Sequence, residues 1–299
     1  MLSKETYKYL CENIFKEDFP KDLAIDYESM VTAINEMLAI NKDKIETRDI
    51  NSPEIDLSYL FTFRWGMTAL SISSYNTPIP AFASLFLGIA NTTLAIIKLA
   101  QGGFDYQASA LSRILCELCL TLLAIIIDPV KREAFIKGSV SGEEHETWRK
   151  HFTFKKLNKV IQDYELKLHQ SKEEEYFLSS WRKNYYTNFS SYVHNDFLSL
   201  YLYSQTLPPE NSDVLNMNIW GASSTRIESI LGSINSLLWY TELLFVRLLT
   251  DKNIDINKEY FGITGANIEH WNTASFVGML TQNYYIEVLK EKENNDNNT

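Results

Sequence analysis

The spacing of apolar and polar positions predicts helices along almost the whole chain. In one segment, apolar residues recur every three or four positions, which is the spacing of one helix face; these are Ala24, Tyr27, Met30, Val31, Ile34 and Leu38. The same pattern and its end signals predict helices over residues 3–15, 24–42, 56–74, 77–101, 104–128, 129–137, 142–169, 172–206, 225–250 and 267–293. Strand signals are scarce. We therefore expect an all-α fold, a multi-helix bundle.

The segment from Phe104 to Asp128 is expected to be the central helix of this bundle. It is apolar on nearly every face and leaves no side for solvent, which is typical of a buried helix. Gly102 and Gly103 precede it and mark the end of the helix before it, and Asp105 is expected to cap its start. So short a connection requires the two helices to be antiparallel neighbours.

One apolar run raises the question of a membrane span. No charged residue occurs between Arg64 and Lys98, and residues 79–97 are about long enough to cross a bilayer. Pro78 and Pro80 interrupt the run, and the loops carry no clear excess of Lys and Arg. A buried hairpin of core helices is therefore favoured, and a membrane partner is not expected. The first residues are too charged for a secretory signal, so we expect a cytoplasmic protein.

The pattern divides the chain into four parts. Residues 1–50 are expected to form an N-terminal helical layer, and residues 51–250 the helical core bundle. Residues 251–293 are expected to form a loop and a C-terminal helix packed on the core. The tail at 294–299 is too polar to be ordered.

Composition narrows the classes of function. The 299 residues carry a net charge of −10, which argues against a general nucleic-acid coat protein. One local basic run lies between Arg149 and Lys172 and includes Lys155 and Lys156; such a run is usually a solvated face, but an anionic partner would also bind there. The sequence has no nucleophile elbow, P-loop or dinucleotide fingerprint.

The cysteines and histidines do not predict a metal site. Cys116 and Cys119 have C-x-x-C spacing, but they lie inside an apolar helix without a second pair, so core packing is favoured over zinc or redox chemistry. The repeated Glu-x-x-His pairs of di-iron bundles are absent. We therefore predict neither a metal ion nor another cofactor.

Two charged residues interrupt the central helix. Arg113 and Glu117 are one turn apart and lie side by side on the helix. They are either a buried ion pair that fixes the helix register, or the border of a pocket in which Arg113 binds an anion and Glu117 orients it or a substrate hydroxyl.

A second group of polar residues lies on the helix predicted after residue 172. Tyr186, Ser190 and His194 are spaced by four and line one stripe of that helix, and Asn195 follows at once as a further hydrogen-bonding group. A histidine among aromatic residues is either a structural residue or an acid or base. The three polar groups in register favour the second reading somewhat.

These two groups together resemble an uncharacterised family of bacterial all-helical proteins. The segment LAQGGFDYQASALSRILCELCL resembles the hallmark of that family, a helix end and Gly followed by a helix with Ala-x-x-Leu-x-Arg-x-x-x-Glu. A later helix of the family carries Tyr-x-x-x-Ser-x-x-x-His, which Tyr186, Ser190 and His194 match. The resemblance covers roughly residues 80–205. The family is similar in turn to HEPN-like bundles, many of which are ribonucleases or RNA-binding partners in phage-defence and toxin systems.

The resemblance implies a site and a chemistry. Arg113, Glu117 and His194 would converge in one groove, with Tyr186 and Ser190 beside them. His194 would be the general base or acid toward a 2′-hydroxyl, Arg113 would hold the scissile phosphate, and the basic run at 149–159 would contact the RNA backbone, as in a metal-independent ribonuclease.

The sequence departs from HEPN nucleases at one position and leaves an alternative open. Those nucleases carry an arginine five or six residues before the histidine, whereas Asn188 stands six before His194 here, so that Arg113 would have to substitute from the neighbouring helix. The alternative is a non-catalytic bundle that binds a protein partner or a small ligand. HEPN-like bundles often pair, which makes a homodimer a further expectation, but no face of the sequence marks an interface.

Overall fold

The chain is described by a computed structural model. The described residues are 4–5, 8, 27–29, 31–32, 35–36, 52–72, 81–141, 144–168, 172–194, 227–254 and 268–296. The predicted helices at 3–15 and 24–42, and with them the N-terminal layer, fall largely outside this part of the chain. So do Asn195 and residues 297–299.

The described part of the chain is helical and contains no strand, which confirms the all-α, multi-helix bundle. From residue 52 onward its helices are α1 (Pro53–Ile72), α2 (Ala81–Gln101), α3 (Asp105–Ile127), α4 (Pro129–Ser141), α5 (Glu144–His151), α6 (Phe154–Leu168), α7 (Lys172–Val193), α8 (Ile227–Thr250) and α9 (Ile268–Asp296). The last helix runs three residues beyond its predicted end at 293.

Helix α3 is central, as predicted. It packs against α2, α4, α6, α7 and α8, and its buried face is made of Leu115, Leu120, Leu122 and Leu123 with both cysteines. The expectation that it has no solvated side is wrong, because the Ile114 side chain is 46% exposed and Gln107 is exposed as well. This open strip lies beside Arg113, so the charged pair is near the surface of the bundle.

The connection before α3 is a tight helix end built on glycine. The Phe104 N–H donates to the Leu99 carbonyl and the Gly103 N–H to the Ala100 carbonyl, while Gly103 has a φ of 79°. This is a Schellman motif, in which the left-handed residue is almost always glycine. Asp105 is not the cap as predicted: Phe104 occupies that position without a side-chain bond, and Asp105 is the first helical residue.

The helix predicted over 142–169 is two helices, α5 and α6. The chain turns at Phe152 and Thr153, where the Thr153 carbonyl accepts hydrogen bonds from the backbone of Lys156 and Leu157 and begins α6. The Lys156 ammonium donates to the last carbonyls of α5, those of Arg149 and Lys150, at 2.8 Å each. A cation at a helix C-terminus stabilises these groups, so the corner is held without glycine or proline.

Helix α1 packs against α2, α8 and the C-terminal helix α9. Where α1 packs on α8, the Arg64 guanidinium donates to Glu242 of α8 at 2.9 and 3.0 Å. Both side chains are at most 3% exposed. Gly278 of α9 covers the pair. A Cβ at Gly278 would lie 2.8 Å from Arg64 Nε and 2.9 Å from Glu242 Oε1, so only glycine fits.

Replacing Gly278 by alanine is expected to destabilise the protein by about 1–3 kcal/mol, because the new methyl group overpacks a buried ion pair that cannot move away. Urea unfolding measures the change. Gly232→Ala on α8 is the matched control, since a Cβ there meets nothing within 4 Å, and it should leave stability unchanged or raise it by up to about 1 kcal/mol. Equal unfolding midpoints for the two variants would contradict this packing.

By length and composition, three of the described helices could cross a bilayer: Phe82–Gln101, Asp105–Ile127 and Ile227–Thr250. The first contains residues 82–97 of the apolar run noted in the sequence.

Candidate functional site

Helices α3 and α7 pack against each other and bring together side chains that are far apart in the sequence. Arg113 and Glu117 come from α3, and Tyr186 and His194 come from α7. We call these four side chains the Arg113 cluster. Their distances fit hydrogen bonding, so the guanidinium, carboxylate, phenol and imidazole form one connected group.

Arg113 is held by a closed set of hydrogen bonds. Its Nε donates to Glu117 Oε1 at 3.2 Å, and its Nη2 donates to the Tyr186 hydroxyl at 3.0 Å. The hydroxyl in turn donates to the same Glu117 oxygen at 3.2 Å. Burial and then the Glu117 carboxylate raise the pKa of Tyr186, so the phenol stays protonated and remains a donor.

His194 completes the cluster from the position directly after α7, where its backbone N–H donates to the Ser190 carbonyl. Its Nε2 lies 3.3 Å from Nη1 of Arg113. Because a guanidinium has only donors, this hydrogen bond requires a lone pair on Nε2. The imidazole bonded to Arg113 is therefore neutral, with its proton on Nδ1, and Nε2 is the atom able to accept a proton.

The cluster is open to solvent on one side. The Arg113 and Glu117 side chains are 17% and 30% exposed, and His194 is exposed. The hydrogen bonds use three of the five N–H donors of Arg113, which leaves one on each terminal nitrogen among the described contacts. These two donors have the fork geometry that binds a planar or tetrahedral anion.

One aromatic residue of the cluster's surroundings was not predicted from the sequence. Phe154, the first residue of α6, stacks on the Tyr186 ring with centroids 4.1 Å apart and planes at 14°. The Arg113 guanidinium lies 5.1 Å from the centre of the same ring. This stack fixes the Tyr186 ring and places the start of α6 beside the cluster.

The remaining predicted residues of α7 lie apart from these contacts. The Ser190 hydroxyl donates to the Tyr186 carbonyl of its own helix at 2.6 Å, and Asn195 lies outside the described residues. Asn188 lines a cleft on another side of α7. A residue at position 188 is thus not positioned to join the cluster, whose arginine comes from α3 instead.

The predicted basic run is concentrated at the corner between α5 and α6. Lys155 and Lys156 are exposed, and Lys131 of α4 joins them by donating to the His151 carbonyl at 2.8 Å. Burial and then the charges of Lys131, Lys150 and Lys156 lower the pKa of His151. We call Lys131, Lys150, Lys155 and Lys156 the basic corner; it begins next to Phe154 and therefore next to the cluster.

The cleft on the other side of α7 has a different chemistry. It has a volume of about 880 Å³ between α7, α8 and the ends of α1 and α9, and contains none of the Arg113 cluster. Its described lining is aromatic, amide and hydroxyl, with Glu54 and Glu228 as its charged groups and no Lys or Arg. Two carboxylates without a cation disfavour a phosphorylated ligand there.

A second polar network, not predicted from the sequence, lies deep in the core. Arg182 of α7 donates to Glu165 of α6 at 2.7 Å and to the Tyr240 hydroxyl, and both charged side chains are 0% exposed. Tyr240 also donates to Glu165, and Asn158 accepts from Arg182 Nε at 2.6 Å. Because no solvent reaches it, this network is structural.

The thiols of Cys116 and Cys119 are buried in the core, as predicted, and burial raises the pKa of Cys119 to about 12. Within the described ranges, no group of three His, Cys, Asp or Glu residues could hold a metal ion.

Comparison with protein-family models, with curated proteins and with solved structures finds no match for this chain.

Proposed function

We propose that this is a HEPN-like bacterial protein whose Arg113 cluster binds a phosphate group of RNA and cleaves the RNA without a metal ion. Phage defence or a toxin system is the setting in which such an activity would serve, in the cytoplasm. The observation that carries the proposal is one arginine, fixed by Glu117 and Tyr186, with two donors left over and a neutral imidazole 3.3 Å away.

The cluster supplies what phosphate transfer to a 2′-hydroxyl needs. The two remaining donors of Arg113 would hold the scissile phosphate and stabilise charge that develops on its oxygens. In the free protein the one lone pair of His194 Nε2 accepts from Arg113 Nη1. Once that hydrogen bond is released, Nε2 would take the 2′-hydroxyl proton as the 2′-oxygen bonds to phosphorus. The bond from phosphorus to the 5′-oxygen then breaks, water supplies the proton of the leaving 5′-hydroxyl, and a 2′,3′-cyclic phosphate remains.

Glu117 and Tyr186 would act on Arg113 rather than on the RNA. They occupy Nε and one hydrogen of Nη2, which fixes the plane of the guanidinium before a ligand arrives. A preorganised donor loses little side-chain entropy on binding. They are therefore positioning residues in this proposal, and His194 and Arg113 are the catalytic ones.

The exposed lysines of the basic corner, Lys150, Lys155 and Lys156, would bind the neighbouring phosphates, whereas Lys131 is buried. Lys155 follows Phe154, which stacks on Tyr186, so a strand bound at Arg113 would pass this corner. Each phosphate neutralised on single-stranded RNA contributes about −0.7 to the slope of log affinity against log salt. Binding should therefore depend on salt, although the chain as a whole carries −10.

The alternative is a non-catalytic bundle that binds a protein partner or a small ligand. One observation favours it: Glu117 already neutralises Arg113 at 3.2 Å, as in an ion pair that only fixes the two helices. The two proposals are distinguished by whether the chain cleaves RNA at the 2′-hydroxyl.

The full chain is expected to cut single-stranded RNA in the presence of EDTA and to leave 2′,3′-cyclic phosphate ends. DNA of the same sequence should bind through its phosphates but remain uncut, because it lacks the nucleophile. Gel analysis with mass spectrometry of the ends measures both.

In cells, expression should arrest growth and degrade RNA, and Arg113→Ala or His194→Ala should relieve both effects. If the RNA stays intact under all these conditions, the ribonuclease proposal is wrong and the non-catalytic bundle is the remaining one.

A further inference from the structure

The cleft between α7 and α8 has one aromatic wall. Four rings of α7 line it in succession, with adjacent centroids 5.9, 4.7 and 6.2 Å apart: Trp181, Tyr185, Phe189 and Tyr192. They are three or four residues apart, so they share one side of the helix. Tyr285 of α9 adds a fifth ring to the lining. Because the faces of aromatic rings are electronegative, such a wall attracts flat groups and cations.

The facing wall, on α8, is made of small residues and leaves room for a ligand. These residues also recur every three or four positions: Ser229, Gly232, Ser233 and Ser236. A Cβ added to Gly232 would meet no atom within 4 Å, so the middle of this wall faces open space. The two helices touch at one end of the cleft, where the rings of Trp181 and Tyr240 have centroids 5.3 Å apart. From there the lining continues to Tyr192 and Glu228, about three helical turns away.

The cleft carries negative charge. Glu54 of α1 and Glu228 of α8 line it, and no Lys or Arg occurs among the described lining residues. The Asn235 amide donates to the Glu54 carbonyl at 2.9 Å, which places Glu54 beside α8, about 10 Å along the helix axis from Glu228. Glu54 is buried, whereas Glu228 is exposed in the first turn of α8. A charged group that enters here would therefore be a cation, and Glu228 is the carboxylate it would reach first.

We propose that this cleft binds a small aromatic amine. The flat ring system would lie between the aromatic wall of α7 and the small residues of α8, with the ammonium group paired to Glu228. The volume of about 880 Å³ is that of a small-molecule site, for which about 300–1,000 Å³ is usual. Such sites combine apolar walls with a few polar groups, and Asn184 and Asn188 supply amides on the α7 side.

A nucleotide or a neutral base fits this cleft less well than an aromatic amine. The two carboxylates would repel a phosphate group, and a neutral ring would gain from the aromatic wall but not from Glu228. The proposal does not rest on RNA cleavage, because no member of the Arg113 cluster lines the cleft. Opposite sides of α7 would thus serve two different ligands.

Isothermal titration calorimetry of the full chain with three indoles of similar shape tests the role of charge. Tryptamine is a cation, tryptophol is neutral and indole-3-acetate is an anion. One tryptamine should bind per chain, and tryptophol should bind at least about tenfold more weakly, because it lacks both the ion pair and the cation–π contact. Indole-3-acetate should bind more weakly still. Tryptophol or adenosine binding as tightly as tryptamine would overturn the proposal, because the cleft would then select a ring and not a cation.

Two variants with one matched control locate the binding. Gly232→Phe should weaken tryptamine binding at least about tenfold by filling the open space on α8, whereas Gly232→Ala should bind within about twofold of wild type. Neither change removes a contact, and both replace a helical glycine, so the fold should persist. Glu228→Gln should weaken tryptamine binding at least about threefold and leave tryptophol binding unchanged. Circular dichroism checks the helical content of all three.

No binding of tryptamine by wild type at millimolar concentration would overturn the proposal. Wild-type affinity for tryptamine in either Gly232→Phe or Glu228→Gln would overturn it as well, because the amine would then bind elsewhere on the chain.

Discussion

His194→Ala is expected to lower the rate of RNA cleavage by about 10²–10⁴-fold, the usual contribution of a general base. Nε2 of its imidazole lies 3.3 Å from the arginine that would hold the phosphate. Single-turnover cleavage of a labelled RNA measures the effect.

The same substitution should change the free energy of unfolding by no more than about 0.5 kcal/mol, because His194 is exposed and its removal leaves no cavity. His270→Ala on α9 is the matched control: it removes another exposed histidine, outside the cluster, and should cleave as wild type does. Lost stability with unchanged cleavage in His194→Ala would assign the imidazole a structural role.

Arg182→Met is expected to destabilise the protein by about 3–5 kcal/mol, the largest stability effect we expect from one substitution in this chain. The Arg182 guanidinium and the Glu165 carboxylate are both 0% exposed, so the substitution would leave a buried carboxylate without its cation. Tyr240 and Asn158 would lose their hydrogen bonds to the guanidinium in the same step. Urea unfolding measures the change.

Lys183→Met is the control for this substitution, because the adjacent lysine is exposed and its loss should cost less than about 0.5 kcal/mol. Replacing both partners, in Glu165→Leu with Arg182→Met, should recover part of the lost stability, since no uncompensated charge then remains in the core. A double variant less stable than Arg182→Met would show that the two residues act separately.

The sequence was sufficient to predict the central part of the fold. Long apolar stretches and clear end signals located the helices from residue 53 onward, and the Pro after Asp128 marked the start of α4, where the Asp128 side chain accepts from the Val130 N–H at 2.9 Å. The break between α5 and α6 was missed because Phe152 and Thr153 carry no helix-breaking signal. There the chain turns because Lys156 and the Thr153 carbonyl satisfy the free ends of the two helices.

Which charges lie near the surface could be predicted only in part. Arg113 and Glu117 were noticed because they interrupt a strongly apolar helix, but their partial exposure depends on how the neighbouring helices pack against α3. Glu165 and Arg182 were not singled out in the sequence, although both are buried. Their positions follow Ile161 and Leu178 by four residues, on the apolar stripes of their helices, and this spacing was the available signal.

The members of the Arg113 cluster were singled out by their spacing and by a resemblance to a helical family, while their surroundings depend on tertiary packing. Tyr186 and His194 lie on one stripe of α7, so they can reach a common neighbour. Phe154 stacks on Tyr186 from 32 positions earlier in the chain, and no local pattern connects the two. Ser190 shares the stripe but bonds to its own helix.

The affinity of the full chain for a short single-stranded 2′-O-methyl RNA, which cannot be cut, tests the central claim most directly. Arg113→Gln should weaken binding about 10- to 100-fold, because a charge-assisted contact to phosphate contributes about 1.5–3 kcal/mol. Arg247→Gln removes an exposed arginine outside the cluster and should bind as wild type does. Equal affinities for wild type, Arg113→Gln and Arg247→Gln would contradict a phosphate site at Arg113.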